Sequence, residues 1–298
     1  MGLRTKFNLA ILAAFIIGFC TIGLVLKRSF EDSAREEALQ NARVMMSEAN
    51  AVRHYTNNTI VPLIGVERDG KFLPASVPAF AAQTTFRTLR TEYPDYFYKE
   101  AALNPTNPTD LAEKWEADLI NTFRQMPFQT ELVTERETMA GPALSLARPI
   151  AITDAACLVC HSQPSAAPKS MIADYGAEHG FGWRLNEVIG AQIITLPLAR
   201  TIAKAHQALI LFLAILTGVF LLMTGILNVL LHYLVIKPVI SMSKLANEVS
   251  HGDMDAPDFA VSGRDEIASL SGSFNRMRRS LASAIQLLDH DEDSKPAR

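Results

Sequence analysis

The chain is poor in cysteine, with 3 in 298 residues. A disulfide-stapled secreted scaffold is therefore excluded, and stability has to come from ordinary cores or from a bilayer. Charge of one sign is lacking too: 28 Lys and Arg stand against 31 Asp and Glu, a net charge of −3. That gives no basic field for duplex nucleic acid, so nucleic acid is not expected as a partner. Charged residues make up 20% of the chain against 49% hydrophobic, which is too apolar for a disordered polypeptide. Catalytic groupings are also missing, since there is no phosphate-cradling Gly loop, no nucleophile with an evident base and no paired carboxylates that stand out from surface charge. The chain is not expected to be an enzyme.

Long apolar runs, by contrast, are present. Phe7 to Leu26 is 20 residues without a charge, and Gln207 to Ile236 is 30 residues whose titratable side chains are His232 and Tyr233 alone. Each is long enough to span a bilayer. The first run is longer than a signal-peptide core and ends in Leu24-Val25-Leu26-Lys27-Arg28 rather than in small residues, so it reads as an uncleaved anchor. Arg4 and Lys6 precede it, and Lys237 and Lys244 follow the second run. By the positive-inside rule both termini are cytoplasmic and the intervening domain lies on the far side of the membrane, which for a bacterial inner membrane is the periplasm. The expected division is a cytoplasmic N-terminus over 1–6, spans at 7–27 and 207–236, an external domain over 28–206, a relay over 237–290 and a disordered tail over 291–298. His206 and His232 are read as headgroup-level residues beside Tyr233.

Beyond the second span the apolar period is helical. Pro238, Met242, Leu245 and Val249 form one stripe, and Ile267, Leu270, Phe274, Met277, Leu281, Ala284 and Leu288 form a longer one with steps of three and four. Gly252, Pro257 and Gly263 interrupt them, which gives two short parallel helices and an extended connector. Each helix alone buries too little to stay folded, so two chains making a four-helix bundle, a homodimer, are expected. With Gly252-Asp253-Met254 and Asp265-Glu266-Ile267, this tail resembles a HAMP domain, and the resemblance implies a parallel bundle that switches between two packings. No output module follows it in this sequence, so the signal is expected to pass to another cytoplasmic protein.

Cys157-Leu158-Val159-Cys160-His161 is the one sharp motif of the external domain. It is the attachment sequence of c-type haem: two thiols three positions apart can each add to a porphyrin vinyl group, and the adjacent histidine offers an axial nitrogen to the iron. One covalent haem c per chain is expected, with His161 as proximal ligand. A Cys157-Cys160 dithiol and a zinc site are the competing readings. The sixth iron position is open between Met45 and Met46 on the long helix and His54, with Met171 and His179 able to approach from the loop after the motif. Arg53 and Arg148 suit haem propionates, because a guanidinium matches a carboxylate in bidentate fashion.

The external domain, from Ala51 to Pro197, resembles a family of bacterial single-haem sensor domains with a PAS-like fold. The resemblance is carried by Arg53-His54-Tyr55-Thr56, Val77-Pro78-Ala79-Phe80, Tyr93-Pro94-Asp95-Tyr96, Asn104 to Pro108, Trp115-Glu116, Ala147 to Ile150, the cysteine motif, Ala167-Pro168, Tyr175-Gly176, Gly180 to Trp183 and Gly190-Ala191-Gln192. It implies a haem-bearing sensor. The residues themselves point to an α+β domain between two transmembrane helices: a long helix over 29–57, helices over 80–91 and 110–125, and strands over 129–135, 143–152 and 187–196 forming a small antiparallel sheet. Together these parts give a membrane-bound transducer of redox state or a small gas. The alternative is a membrane-anchored monohaem cytochrome that transfers electrons.

Overall fold

The structure is a computed structural model that describes residues 2–139, 141–253, 257–259 and 263–293, without the side chains of Leu3 and residues 285–293. It divides into two compact units, Gly23–Leu211 and the paired segments Met1–Ile22 and Phe212–Arg298.

Helix α1 runs from Leu3–Tyr55, and a π-helical turn over Thr56–Ile60 leads into α2 (Val61–Ile64). Gly65, with φ of 70°, ends the run. A hairpin of β1 (Glu67–Arg68) and β2 (Lys71–Phe72) turns on Asp69 and Gly70, both at positive φ. Then come α3 (Pro78–Leu89), β3 (Phe97–Ala102), α4 (Lys114–Gln125), β4 (Leu132–Thr138) and β5 (Gly141–Ala151). Two short helices, α5 (Cys157–His161) and α6 (Lys169–Tyr175), precede β6 (Val188–Pro197) and the long α7 (Leu198–Leu231). Four strands form one antiparallel sheet in the order β3-β6-β5-β4.

The sheet is covered on both faces. On one, Ala38, Ala42, Met45, Met46 and Ala49 of α1 and Phe86 of α3 pack against Tyr98, Leu146 and Ile194. On the other, Leu119, Ile120 and Phe123 of α4 pack against Ala101, Ala147 and Ile193. Successive strand residues point to opposite faces, so Ile193 and Ile194 serve different cores. The alanine stripe of α1 lets that helix lie close on the sheet. Burying a side chain the size of Ile120 or Phe123 contributes about 1.5–3 kcal/mol.

Several boundaries differ from those read in the sequence. The helix expected over 110–125 starts at Lys114, because Glu113 caps it reciprocally with Glu116 while Pro108–Asp110 forms a 3-10 turn. Strand β3 was not expected, since Lys99 and Glu100 sit inside it. They are accommodated by ion pairs: Lys99 Nζ reaches Glu116 at 2.6 Å and the Leu111 carbonyl at 3.0 Å, and Glu100 binds Arg53.

The continuous helices Arg4–Ile64 and Leu198–Ser250, parts of which belong to the second unit, are long and apolar enough to cross a membrane. Asn8 and Asn228 exchange amide hydrogen bonds of 3.0 Å in both directions, and Phe15 stacks on Phe220 with centroids 3.7 Å apart. After a π turn over His232–Ile236 follow α8 (Lys237–Ser250) and α9 (Glu266–Asp293). Met242, Val249, Ala268 and Ser271 are buried between them, and Asn275 holds the connector by bonds of 3.0 Å to both the N–H and the carbonyl of Phe259. Leu270, Met277 and Leu281 of the expected seam are exposed in the single chain. Met254, residues 294–298 of the expected tail and the Leu288 side chain lie outside the described residues.

Gly190 of β6 lies opposite Ala102 of β3, and a Cβ there would collide with the backbone carbonyl of Ala101. Gly190→Ala is expected to destabilise the domain by about 1–3 kcal/mol. Thermal unfolding of the detergent-solubilised protein measures this, with a melting temperature equal to that of the unaltered chain as the contrary result.

Candidate functional site

The cysteine motif lies on an excursion between the two central strands. It leaves β5 at Ile152 and returns into β6, and its neck is closed by Asn186 N–H donating to the Ile152 carbonyl at 2.8 Å and Ile152 N–H donating to the Glu187 carbonyl at 3.0 Å. Within it Asp154 starts α5, accepting from Ala156 N–H at 2.8 Å through its side chain. Cys157, Cys160 and His161 then share one helical turn and a half.

These three residues line a cavity of about 580 Å³ with apolar wall residues that include Val61, Phe72, Phe80, Ile150, Met171 and Ile189. Polar groups converge on it from several elements: Arg53 and His54 from α1, Gln83 from α3, Glu100 from β3, and Thr106 and Asp110 from the loop beyond β3. A mostly apolar cleft of 300–1,000 Å³ with a few placed polar groups is the usual form of a cofactor site.

His161 is the most constrained of them. Its ring lies flat on Trp183, with centroids 3.9 Å apart and planes 14° from parallel. Its Nδ1 stands 2.7 Å from the Gly180 carbonyl, so Nδ1–H donates there and Nε2 keeps the lone pair. Burial holds its pKa below the usual histidine value, against the opposing effect of that hydrogen bond, and favours the neutral imidazole. Gly180 has φ of 80°, and a Cβ on it would land on Thr106. Asn104 Oδ1 accepts from Gly180 N–H at 3.3 Å, so the Asn104-Pro105-Thr106 turn fixes the carbonyl that fixes His161.

Both motif thiols are uncombined. Burial, with Asp154 adding to it for Cys157 and Cys157 for Cys160, pushes both thiols above the ordinary cysteine value. An activated redox dithiol requires the opposite shift. Among the described residues there is no group of three or more His, Cys, Asp and Glu side chains placed to hold a bare metal ion, as zinc would need. A neutral imidazole with a free Nε2 beside two thiols at an apolar cavity fits a haem.

The remaining sequence candidates separate clearly. Arg53 and His54 line the cavity. Arg148 does not, since its guanidinium binds Glu131 at 2.9 Å alongside Arg43 at 3.0 Å. Met45 and Met46 lie in the core between α1 and the sheet rather than on the cavity wall. Met171 is on the wall, whereas His179 bonds Asn104 at 3.1 Å. Glu100, Gln83 and Asp110 were missed. Their signal was faint: an acid inside a strand, and polar residues flanking the Asn104 to Pro108 turn.

Asp110 is partly buried on the cavity wall, and burial raises its pKa above the usual aspartate value, while Gln83 Nε2 donates to it at 3.0 Å in the opposing sense. A raised carboxyl pKa in the folded state favours the protonated form, so its stabilising contribution is present below the unfolded value and lost as pH rises through the folded one. Asp110→Asn is therefore expected to raise the melting temperature at pH 7 and to make little difference below about pH 4, near the unfolded aspartate pKa. Melting curves across that range check it, and a variant less stable at pH 7 contradicts it.

A family model described as Tll0287-like matches residues 31–197, and a HAMP domain model matches residues 230–283. None of the curated proteins compared matches the chain. Among solved structures, the crystal structure of the cyanobacterial heme-protein Tll0287 is similar at 15% identity, covering 54% of this chain and 95% of that one with a TM-score of 0.43. The chain belongs to the Tll0287-like family, carrying that domain ahead of a HAMP domain.

Proposed function

We propose that this protein is a membrane-bound transducer in which one haem c, joined covalently to Cys157 and Cys160, reports redox state or a small gas to a cytoplasmic HAMP domain. The observation that carries the reading is the His161 imidazole, locked by the Gly180 carbonyl and Trp183 with Nε2 free at the wall of the cavity that both thiols share. When bound, the haem supplies a one-electron centre and an iron that takes a small gas wherever a coordination position is exchangeable.

The chain's own residues bind and orient. Cys157 and Cys160 would hold the porphyrin, and His161 Nε2, its tautomer fixed by the Gly180 carbonyl, would hold the iron. His54 and Met171 are on the cavity wall, which favours them over Met45 and Met46 as a second ligand. Arg53 lines the cavity and Arg148 does not, which favours Arg53 as the guanidinium for a propionate.

By the distribution of Lys and Arg about the apolar runs, both termini are cytoplasmic and the haem domain periplasmic. β6 continues directly into α7, and α7 through one π turn into α8. That covalent path takes a change at the domain into the HAMP helices. Their exposed Leu270, Met277 and Leu281 suit a second copy of the chain, completing a four-helix bundle that presents its state to a cytoplasmic output protein.

The test places a cysteine at Leu270 in a chain with Cys20 replaced by Ala. It follows cross-linking by a bifunctional maleimide in membranes, with the haem oxidised, reduced, or reduced and exposed to nitric oxide. The cross-linking rate is expected to change about fivefold or more between states, the scale of ordinary allosteric coupling. In Cys157→Ala/Cys160→Ala the haem and the difference should both vanish. A haem-free variant that still responds contradicts the proposal, and a haem-bearing protein that exchanges electrons rapidly without any change in cross-linking would make it an electron carrier.

A further inference from the structure

Glu100 is a buried acid that the proposed function leaves unused. It is 5% exposed on β3, yet it faces the haem cavity together with Arg53. Its carboxylate is closely held. Arg53 Nη1 donates to one oxygen, and the Tyr98 hydroxyl donates to the other at 2.7 Å. Gln192 Nε2 in turn donates to the Tyr98 hydroxyl and to Asn50 Oδ1, both at 2.9 Å. The cluster thus ties β3 and β6 to two residues of α1, Asn50 and Arg53, which are three positions apart and share a helix face.

Electrostatics keeps both charges in place. Burial pulls the Arg53 pKa down, but Glu100, with smaller contributions from Tyr98 and Cys157, more than reverses this and leaves it raised. Burial and Glu100 push the Tyr98 hydroxyl well above its ordinary value, so it remains a donor. A fixed anion, itself buried, and a fixed cation at the wall of the cavity act on a charge change inside it more strongly than exposed surface charges do.

Resting on the haem reading of the cavity, we propose that Glu100 is the residue that sets the redox midpoint of the site, with Arg53 as its counter-charge on α1. One electron from an external donor, such as a quinol or dithionite, converts ferric to ferrous iron and lowers the charge in the cavity by one unit, with no bond made or broken. Glu100 favours the oxidised form and Arg53 the reduced form. The balance of the pair therefore changes with oxidation state, and half of the pair is mounted on α1. Glu100 touches neither porphyrin nor iron in this account and is a positioning residue for charge.

The test is a redox titration of the purified full chain. Glu100→Gln keeps the shape and the Tyr98 contact but removes the anion, so the midpoint should move upward and the reduced fraction at a fixed potential should rise severalfold. Arg53→Gln should move it downward. The double variant, which leaves two neutral amides and avoids an unpaired buried charge, should fall between them and serves if a single variant fails to fold. Glu131→Gln removes an acid that does not line the cavity and should leave the midpoint unchanged. A haem-bearing Glu100→Gln with the midpoint of Glu131→Gln, or a double variant with the midpoint of Arg53→Gln, overturns this proposal alone. Absence of haem from the unaltered chain overturns the haem reading and this proposal with it.

Discussion

Everything at the candidate site depends on the pairing of β5 with β6. The two strands run antiparallel over most of their length, from Ala143 opposite Pro197 to Ile150 opposite Gly190, and the register shifts at Ile150 and Ala151. There the chain leaves the sheet for the excursion that carries the cysteine motif. Because Ile152 bonds to both Asn186 and Glu187 at its neck, a long loop closes on itself, and its two ends cannot drift apart without breaking the centre of the sheet. The loop then folds back across α5, with Gly182 N–H donating to the Ser162 carbonyl and Trp183 N–H to the His161 carbonyl. A histidine on a five-residue helix would otherwise be poorly directed. Here its ring is fixed by a carbonyl, an indole and a turn from a third part of the chain.

The motif, the two apolar helices, the long α1 and three of the four main strands could be read from periodicity and spacing. What escaped was set by tertiary charge pairing. Phe97-Tyr98-Lys99-Glu100-Ala101-Ala102 does not alternate in polarity, because both faces are covered and the two charged residues reach partners on α4 and α1. No local pattern reveals partners 17 and 47 residues away. The β1-β2 hairpin was legible in principle, since Asp69-Gly70 is a strong two-residue turn signal. Of the candidates read in the sequence, Cys157, Cys160 and His161 line the cavity, whereas Met45 and Met46 pack in the core and Arg148 binds Glu131. Helical stripe position says which face a residue takes, not which cavity lies beneath that face.

The same physics explains why the cavity suits a large planar cofactor better than thiol chemistry. Burial raises both thiols and lowers His161, so the site holds neutral donors ready to form bonds rather than charged groups ready to react. The fixed charges are a pair on β3 and α1 at the wall of the same cavity. That arrangement leaves an apolar cavity with one directed nitrogen, and it ties the cavity wall to the helix that continues from the first apolar run. The HAMP domain at 230–283 gives such a coupling something to act upon.

The most direct test of the account is to purify the full chain from cells able to attach haem, denature it, extract it with acidified acetone and record the spectrum of the reduced pyridine complex. The account predicts that haem stays with the polypeptide and gives a c-type spectrum, while Cys157→Ala/Cys160→Ala gives none. A chain that carries no haem, or that releases it on extraction, would contradict it.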